Sequence, residues 1–567
     1  MTSTLSHLLL QAADAHPERP AVWSSTGELT YAELFDRSMR LARALVEHGI
    51  EPGDRVVISL AKDPALPVAI FGTLLAGAAY VPIDYLTPPA RARVIAADAE
   101  AVAAISSPRT VRAMVLGDAY LAHDGQGDNA PALHWLGRDW PDPDRSPERQ
   151  PVRESLQQIP PLDQWRSPVE VPASALAYIL YTSGSTGRPK GVAHTHASAL
   201  AFVRWAVDAV GVNEHDVLSQ HASPSFDLSV FDFFGAAMAA ARLALVPQTT
   251  FGRVSSLCRF IVDSGVTVWY SVPSALLRAS GAESLALLEG SALRQIILAG
   301  EEIPTGPLRV LWGHLPPSCR VANWYGPTET NVCTFHDLTA LDVDSGEPIP
   351  IGMPCPYAST SLVAEDGTVM ANGAAGELLV ASDTLMSGYW KLSDATSRVF
   401  TAGADGRVYY ATGDLVSRDD ADGLTFRGRV DRLLKVRGHR VQPEEVEHVL
   451  EQRPEIDEAA VVRYRRGDVD VLAAVVRLAG GGALEHDAVI GHCRRFLPVY
   501  MVPDVILPVG ELPRGSRGKA DYHAVLELVE SHCDDLDRLE QSRAGITSLG
   551  LTRSVANARS VMRGSHA

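Results

Sequence analysis

The segment Tyr178-Ile-Leu-Tyr-Thr-Ser-Gly-Ser-Thr-Gly-Arg-Pro-Lys-Gly-Val192 joins an apolar run to a loop of glycines and hydroxyl groups. The apolar run from Leu176 to Tyr181 is typical of a buried strand. In the loop, glycine lets the backbone approach a ligand closely, and successive N–H groups with hydroxyl donors suit a polyphosphate. Lys190 adds a positive charge, while Pro189 stands where the Walker P-loop has its second glycine. Taken alone, the segment indicates either a phosphate loop of another kind or a plain surface loop.

Four further motifs follow this segment along the chain. They are Asn323-Trp-Tyr-Gly-Pro-Thr-Glu-Thr330, Tyr410-Ala-Thr-Gly-Asp-Leu415, Gly428-Arg-Val-Asp-Arg-Leu-Leu-Lys-Val-Arg-Gly-His-Arg-Val441 and Gly518-Lys519. Together with the first segment they resemble, in the same order, the motifs of the adenylate-forming superfamily. That superfamily includes acyl-CoA synthetases, luciferases and the adenylation domains of nonribosomal peptide synthetases. The resemblance covers residues 1–525, and several long motifs in one order are more specific than any one of them.

Length and composition limit the kind of protein. The chain has 567 residues, so two or more domains are expected, and its 46% hydrophobic and 21% charged residues are typical of a soluble globular protein. The formal net charge of −18 argues against a nucleic-acid partner. Six scattered cysteines lack metal-like spacing. With neither a signal peptide nor an apolar run long enough to indicate a membrane span, the sequence predicts a cytoplasmic enzyme without a membrane partner.

Helical and strand patterns alternate through the large N-terminal part, which predicts an α/β fold. Thr30 and Glu33 form a capping-box pattern at one helix start, and Pro443, followed by acidic residues, begins another. The resemblance implies the same fold class: a large N-terminal α/β domain with a small β subdomain, followed by a small mobile α+β C-terminal domain.

We place these parts at residues 1–431 for the adenylation core, 432–525 for the C-terminal lid domain and 526–567 for a helical or disordered tail. Residues 122–172 are rich in prolines, charges and isolated tryptophans. That composition predicts a surface excursion between core elements.

The resemblance assigns a nucleotide site, with ATP and Mg²⁺ as cofactors. In this superfamily a carboxylate attacks the α-phosphate of ATP, so the protein must hold the triphosphate and neutralise the charge that develops. Glu329 corresponds to the Mg²⁺ ligand and Thr328 to a contact of the α-phosphate. Tyr325 corresponds to the ring that packs on adenine, and Asp414, assisted by Arg429, to the acceptor of the ribose hydroxyls. The implied ATP-binding set is Thr182, Ser183, Gly184, Thr186, Tyr325, Asp414 and Arg429.

The resemblance also implies a role for three lysines and one hinge. Lys519, on the small domain, corresponds to the lysine that enters the cleft during adenylation and stabilises the pentavalent α-phosphate. Lys435, on the opposite face of that domain, belongs to the thioester-forming surface. Asp431 stands at the hinge, so one domain in two orientations would serve both steps. Lys190 is implied to belong to the mobile part of the phosphate loop.

Asp227, in Ser225-Phe-Asp-Leu-Ser229, resembles the aspartate that binds the substrate ammonium in amino-acid-activating members. A buried acid needs a counter-charge, which an ammonium supplies; the alternative is a helix N-cap. An ungapped projection of the family's pocket gives Asp227, Leu228, Phe231, Tyr270, Ile297, Ala299, Trp324, Val332 and Cys333. This apolar wall, with three large aromatic rings and no second charge, predicts a small or compact apolar amino acid.

The leading hypothesis is ATP-dependent adenylation of such an amino acid, followed by its transfer to the phosphopantetheine thiol of a separate carrier protein. No condensation domain precedes the motifs, so a stand-alone enzyme is expected. The wall resembles that of free-standing prolyl-AMP ligases at Leu228, Tyr270, Val332 and Cys333, which favours proline. Phe231 and Trp324 are bulkier than that group has, and a β-amino-acid-activating enzyme is the main alternative.

Two other hypotheses are weaker. Asp227 argues against an acyl- or aryl-CoA ligase, because such enzymes generally lack an acid there. The intact Lys190, Glu329 and Lys519 argue against a non-catalytic binding protein on this fold. A small activating protein is a further partner that the resemblance leaves open.

We expect Lys519→Ala to abolish adenylation and leave the fold intact, because this lysine is implied to act only when the small domain closes on the cleft. ATP–pyrophosphate exchange and the melting temperature, measured on the same preparation, check this. Near-normal exchange in the variant would remove Lys519 from the reaction.

Overall fold

The computed structural model describes residues 4–106, 132–135, 153–155, 167–184, 187–250, 253–277, 282–371, 373–419, 423–466, 469–479, 484–514 and 520–533. Thr186 and Lys519, most of the predicted excursion at 122–172 and the tail from 534 onward lie outside these residues.

Two large sheets with parallel cores make up most of the N-terminal part. The strands of the first are, in spatial order, Met353–Pro354, Thr334–Asp337, Arg320–Tyr325, Gln295–Ala299, Val268–Ser271, Val217–Gln220, Arg242–Leu245, Pro20–Ser24 and Gly27–Thr30. Those of the second are Gly388–Tyr389, Lys190–Thr195, Leu176–Thr182, Ala79–Pro82, Arg55–Ser59, Ala103–Ser106, Ala132–Trp135 and Arg153–Ser155. In both, parallel strands lie in the middle and antiparallel strands at the edges.

Three helices fill the space between these sheets: Tyr31–Glu47, Ala65–Leu75 and His196–Val210. The strand Gln295–Ala299 shows how the sequence encodes this layering. Ile297 and Ala299 belong to the core between the sheets, whereas Ile296 and Leu298 belong to the core on the outer face. Alternate side chains of a strand point to opposite faces, so a continuous apolar run marks a strand that is buried on both.

The remaining helices pack around these sheets, and three of them, Ser6–Ala15, Leu228–Val230 and Ala236–Ala239, contribute side chains to the same core between the sheets. The remaining helices are Ser6–Ala15, Pro89–Asp98, Leu228–Val230, Ala236–Ala239, Val254–Ser264, Pro273–Leu277, Ala282–Leu285, Thr305–Trp312, Ala340–Ser345 and Ser393–Val399, with a π-helical turn at Phe231–Gly235. The predicted capping box is present: Thr30 accepts a hydrogen bond from the Glu33 N–H, and Glu33 accepts one from the Thr30 N–H. Within the described residues, no helix combines the length and apolar character that crossing a membrane requires.

A five-stranded antiparallel sheet forms the predicted small β portion, from the strands Ala358–Val363, Ala375–Ser382, Val408–Arg418, Phe400–Ala402 and Leu424–Arg429. After it come the hairpin of Leu434–Val436 and His439–Val441, the helices Pro443–Glu451 and His486–Phe496, and the sheet of Ile456–Arg466, Val469–Leu478 and Val505–Val509. Pro443 is the first residue of its helix, as predicted. The predicted fold class, α/β followed by α+β, is confirmed.

The C-terminal part is docked on the N-terminal part through its hairpin, residues 434–441. Ser183 of the phosphate loop donates a hydrogen bond to the Arg440 carbonyl oxygen (2.8 Å) and accepts one from the Gln442 N–H (3.1 Å). A buried ion pair joins Arg91 to Glu445. The hairpin face therefore lies in the cleft between the two parts.

Candidate active site

The predicted phosphate loop emerges where two antiparallel strands of the second sheet separate. The strand pairing continues as far as Thr182 opposite Lys190. Lys190 is thus the first residue of a strand, and its place in the mobile part of the loop stays a prediction. Its ammonium group contacts the Tyr389 hydroxyl (2.9 Å) and a Glu329 oxygen (3.4 Å), which hold it over the cleft.

The loop offers unused donors to a phosphate. The Thr182 hydroxyl is buried and has no hydrogen-bond partner among the described residues. A Cβ at Gly184 would collide with the carbonyl oxygen of Arg188, so only glycine permits this tight turn. A buried polar group without a partner calls for a ligand or an ion. These residues fit the phosphates of a nucleotide.

Glu329 is the most enclosed carboxylate of the site, with no exposed surface. Its oxygens accept hydrogen bonds from Arg440 Nη1 (2.8 Å) and the Tyr389 hydroxyl (2.8 Å). Burial alone would raise its pKa, but the charges of Arg440 and Lys190 outweigh burial and lower the pKa of Glu329 below its ordinary value. Glu329 is therefore an ionised oxygen ligand, of the kind that Mg²⁺ prefers.

A metal at this carboxylate would need ligands from elsewhere. Among the residues that the structure describes, no group of three or more His, Cys, Asp or Glu side chains could hold a metal ion. One protein carboxylate completed by phosphate oxygens is a usual Mg²⁺ arrangement. The residues present fit a metal that arrives with a nucleotide.

The predicted ribose acceptor belongs to a network of aromatic and charged groups. Asp414 and Arg429 are opposite each other on paired strands, and Asp414 accepts hydrogen bonds from Arg429 and from the Tyr325 hydroxyl. Arg429 also donates to Asp431 at 2.5 and 2.8 Å. Lys435 lies with its ammonium 5.6 Å from the centre of the Tyr325 ring, within the range of a cation–π contact. Arg429 therefore connects the predicted nucleoside-binding residue Asp414 with Asp431, the predicted hinge.

A cavity of about 340 Å³ connects this network to the predicted substrate pocket. Six of the nine predicted wall residues line it, and three do not. The six are Asp227, Leu228, Tyr270, Ala299, Trp324 and Val332. Phe231, Ile297 and Cys333 are fully buried and do not line the cavity, so their contact with the substrate stays a prediction.

Phe231 is the first residue of a π-helical turn, Phe231–Gly235. Its ring packs edge-on against Tyr270 (6.0 Å between ring centres) and Trp324 (5.7 Å), which are themselves 5.4 Å apart. Edge-to-face pairs at such distances are favourable. Tyr270 and Trp324 line the cavity, and Phe231 packs against both rings from outside it.

Two aromatic residues that sequence reasoning missed support this wall from behind. Trp205, on the helix His196–Val210, lies 4.8 Å from Trp324 between ring centres. Tyr357 packs edge-on against Trp205 (5.7 Å) and donates a hydrogen bond from its hydroxyl to the Val332 carbonyl oxygen (2.6 Å). Both lie outside the family motifs, and an aromatic residue on a buried helix reads as ordinary core.

Asp227 is the acidic group of the substrate wall. It precedes the short helix Leu228–Val230 but makes no capping hydrogen bond to it, which weighs against the N-cap alternative. Burial raises the pKa of Asp227 to about 6, and hydrogen bonding to Thr328 opposes that shift. A carboxylate in such surroundings is stabilised by an added cation.

A second cavity, of about 400 Å³, lies on the other side of the hairpin. Phe226, Gly438 and Tyr500 line both cavities. The His439 ring stacks on Tyr500 at 3.6 Å and meets Phe226 edge-on at 4.9 Å. A Cβ at Gly438, whose φ is +80°, would lie 2.5 Å from a Val272 methyl carbon, so glycine is required where the hairpin passes between the cavities.

Comparisons with known proteins agree with this arrangement. Residues 9–390 match the family model described as AMP-binding enzyme, and residues 445–519 match the model of the AMP-binding enzyme C-terminal domain. A relative named L-proline--[L-prolyl-carrier protein] ligase, from Streptomyces coelicolor, is 36% identical over 92% of this chain and 96% of its own. A second protein of that name, from Pseudomonas fluorescens, is 33% identical over 93% of this chain and 99% of its own.

A solved structure supports the fold itself. The Vibrio cholerae adenylation domain AlmE, in complex with glycyl-adenosine-5'-phosphate, superposes with a TM-score of 0.74 at 23% identity and covers 94% of this chain and 98% of its own.

The burial of Asp227 predicts that its ionised form lowers the free energy of unfolding of the ligand-free protein. Because its folded pKa, about 6, lies above the ordinary value of 3.8, the associated stability is complete below pH 3.8 and is lost as the pH rises through 6. Asp227→Asn mimics the neutral acid. We expect it to stabilise the ligand-free protein by up to about 3 kcal/mol at pH 8 and by about half as much at pH 5.

Urea unfolding of both proteins across this pH range measures the difference. A constant difference, or a destabilised variant at pH 8, would show that the carboxylate is not strained by burial.

Proposed function

This chain belongs to the AMP-binding enzyme family, and we propose that it activates a compact apolar amino acid, with proline as the favoured substrate. The enzyme is an amino acid–AMP ligase that loads its product onto a carrier protein. Enzymes of this family use ATP, with pyrophosphate as the first leaving group and AMP as the second. The observation that carries the substrate assignment is Asp227 in a short, otherwise apolar wall that aromatic rings close.

The proposed roles are supported by the arrangement of side chains around the cavity. Asp227 pairs with the substrate ammonium and thereby directs the substrate carboxylate towards Thr328 and the α-phosphate. Thr182, Ser183 and Lys190 hold the phosphates, and a Mg²⁺ ion bound through Glu329 would neutralise phosphate charge. Lys519 is proposed to stabilise the pentavalent phosphorus in the adenylation orientation.

Proline is favoured over longer amino acids for a steric reason. The rings of Tyr270 and Trp324 limit the length of the side chain, and Trp205 holds Trp324 in place. A five-membered ring is compact and apolar, so it meets the wall without an unpaired polar group. The two carrier-protein ligases with over 30% identity support the same choice.

We further propose that the second cavity admits the thiol arm of the carrier protein. It abuts the substrate cavity at Phe226, Gly438 and Tyr500, on the hairpin side. With the hairpin docked in the cleft, the Lys435 ammonium lies 5.6 Å from the centre of the Tyr325 ring. A thiol that arrives through the second cavity could attack the acyl carbon, after which AMP would leave.

The substrate assignment predicts a dependence on both the ammonium and the acid. Pyrophosphate exchange should be fastest with proline, slower with β-amino acids and negligible with tetrahydrofuran-2-carboxylate, which lacks the ammonium. Because removing one partner of a buried pair costs about 3–5 kcal/mol, Asp227→Asn should lower kcat/KM by roughly two to four decades. Equal exchange with proline and its oxygen analogue would favour an acyl ligase instead.

Trp324→Ala should widen the pocket and admit larger apolar amino acids such as phenylalanine, since the indole ring closes its end. Exchange rates over a panel of all amino acids measure the change, and Trp23→Ala serves as the control, because its ring packs against Phe260 in the outer core. A panel unchanged by Trp324→Ala would place the specificity elsewhere.

A further inference from the structure

The hairpin in the cleft engages groups that a nucleotide would also need. Ser183 of the phosphate loop is bound on both sides by the hairpin backbone, through the Arg440 carbonyl oxygen and the Gln442 N–H. The Arg440 side chain reaches past that loop to Glu329, the candidate metal ligand. One short segment thus occupies both the phosphate-binding and the metal-binding groups.

At Glu329 the two carboxylate oxygens are shared between different donors. Arg440 Nη1 takes Oε2 at 2.8 Å. The Tyr389 hydroxyl (2.8 Å) and Lys190 (3.4 Å) take Oε1. With these donors in place the carboxylate has no exposed surface, so a metal could bind Oε2 only if Arg440 withdrew.

We propose that Arg440 is a positioning residue that replaces the metal ion on Glu329, so that departure of the metal with pyrophosphate and docking of the hairpin are linked. The proposal rests on the proposed function, in which Glu329 binds Mg²⁺. A metal and a guanidinium both carry positive charge, and they would compete for the same oxygen.

The electrostatics of the site explain why the exchange favours the docked hairpin once the metal has gone. Leaving a buried carboxylate without its counter-charge costs free energy. Without the metal and without Arg440, the remaining cation near Glu329 would be the Lys190 ammonium, at 3.4 Å. Arg440 restores a close, charge-assisted hydrogen bond. Conversely, ATP with Mg²⁺ must displace Arg440 before it can use Ser183 and Glu329, so nucleotide binding and hairpin docking oppose each other.

Arg440→Gln tests the exchange in the full-length enzyme. The Mg²⁺ concentration that half-saturates ATP binding, measured by calorimetry, should fall at least threefold because the competitor is gone. In hydrogen–deuterium exchange without nucleotide, residues 434–441 should lose the protection that wild type shows, and wild type should lose it when ATP and Mg²⁺ are added. Carrier loading should slow at least tenfold, and by a larger factor than pyrophosphate exchange.

Two companions control for charge and folding. Arg477→Gln removes the same charge from the same small domain, where the guanidinium donates to Asp457 at 2.9 Å, and should behave as wild type. Arg440→Lys keeps the positive charge on a shorter side chain. The Mg²⁺ requirement for ATP binding and the protection of residues 434–441 should therefore shift in the same direction as for Arg440→Gln, but less. This variant decides the matter if Arg440→Gln does not fold.

Two results overturn the inference: an unchanged Mg²⁺ requirement for ATP binding, or an unchanged protection of residues 434–441 in the folded variant. Equal losses in both half-reactions would likewise show that Arg440 has a merely structural role. Failure of the underlying proposal that Glu329 binds Mg²⁺ looks different, because ATP binding by wild type and Arg477→Gln would then not depend on the Mg²⁺ concentration.

Discussion

A buried carboxylate that stays ionised needs a counter-charge, and in this protein that requirement connects the two parts of the chain. Glu329 is enclosed by the large domain, yet its closest cationic partner, Arg440, comes from the small one. Because it is buried, the ionised form of this carboxylate is stable only while a cation lies next to it. The position of the hairpin in the cleft and the ionised state of Glu329 are therefore coupled.

Much of the architecture could be predicted, because it depends on local patterns. The apolar run before the phosphate loop is the strand Leu176–Thr182, and the cap at Thr30 and the proline at Pro443 begin helices as expected. Motif residues such as Asp414 and Arg429 come together because adjacent strands place them opposite each other. In each case the deciding contact is close in sequence or is specified by strand pairing.

What the sequence could not show depends on contacts that cross the fold. An ungapped projection cannot show which of its residues line the cavity and which, like Phe231, are buried outside that lining. It also cannot show that the pairing of Thr182 with Lys190 extends the strand into the expected loop. Arg440 was visible inside a motif, but its role depends on a carboxylate 111 residues away along the chain. Contacts of this kind depend on tertiary packing, which cannot be predicted from local sequence patterns.

The aromatic layer behind the substrate cavity has a consequence for protein engineering. Trp205 and Tyr357 shape the cavity without touching its contents: one supports Trp324 and the other the backbone at Val332. Transplanting only the lining residues into another family member would leave these supports behind, and the grafted indole ring could then settle in a different rotamer. The shape of the cavity therefore depends on two layers of residues, those that line it and those that support the lining. A specificity rule based on the lining residues alone leaves out the second layer.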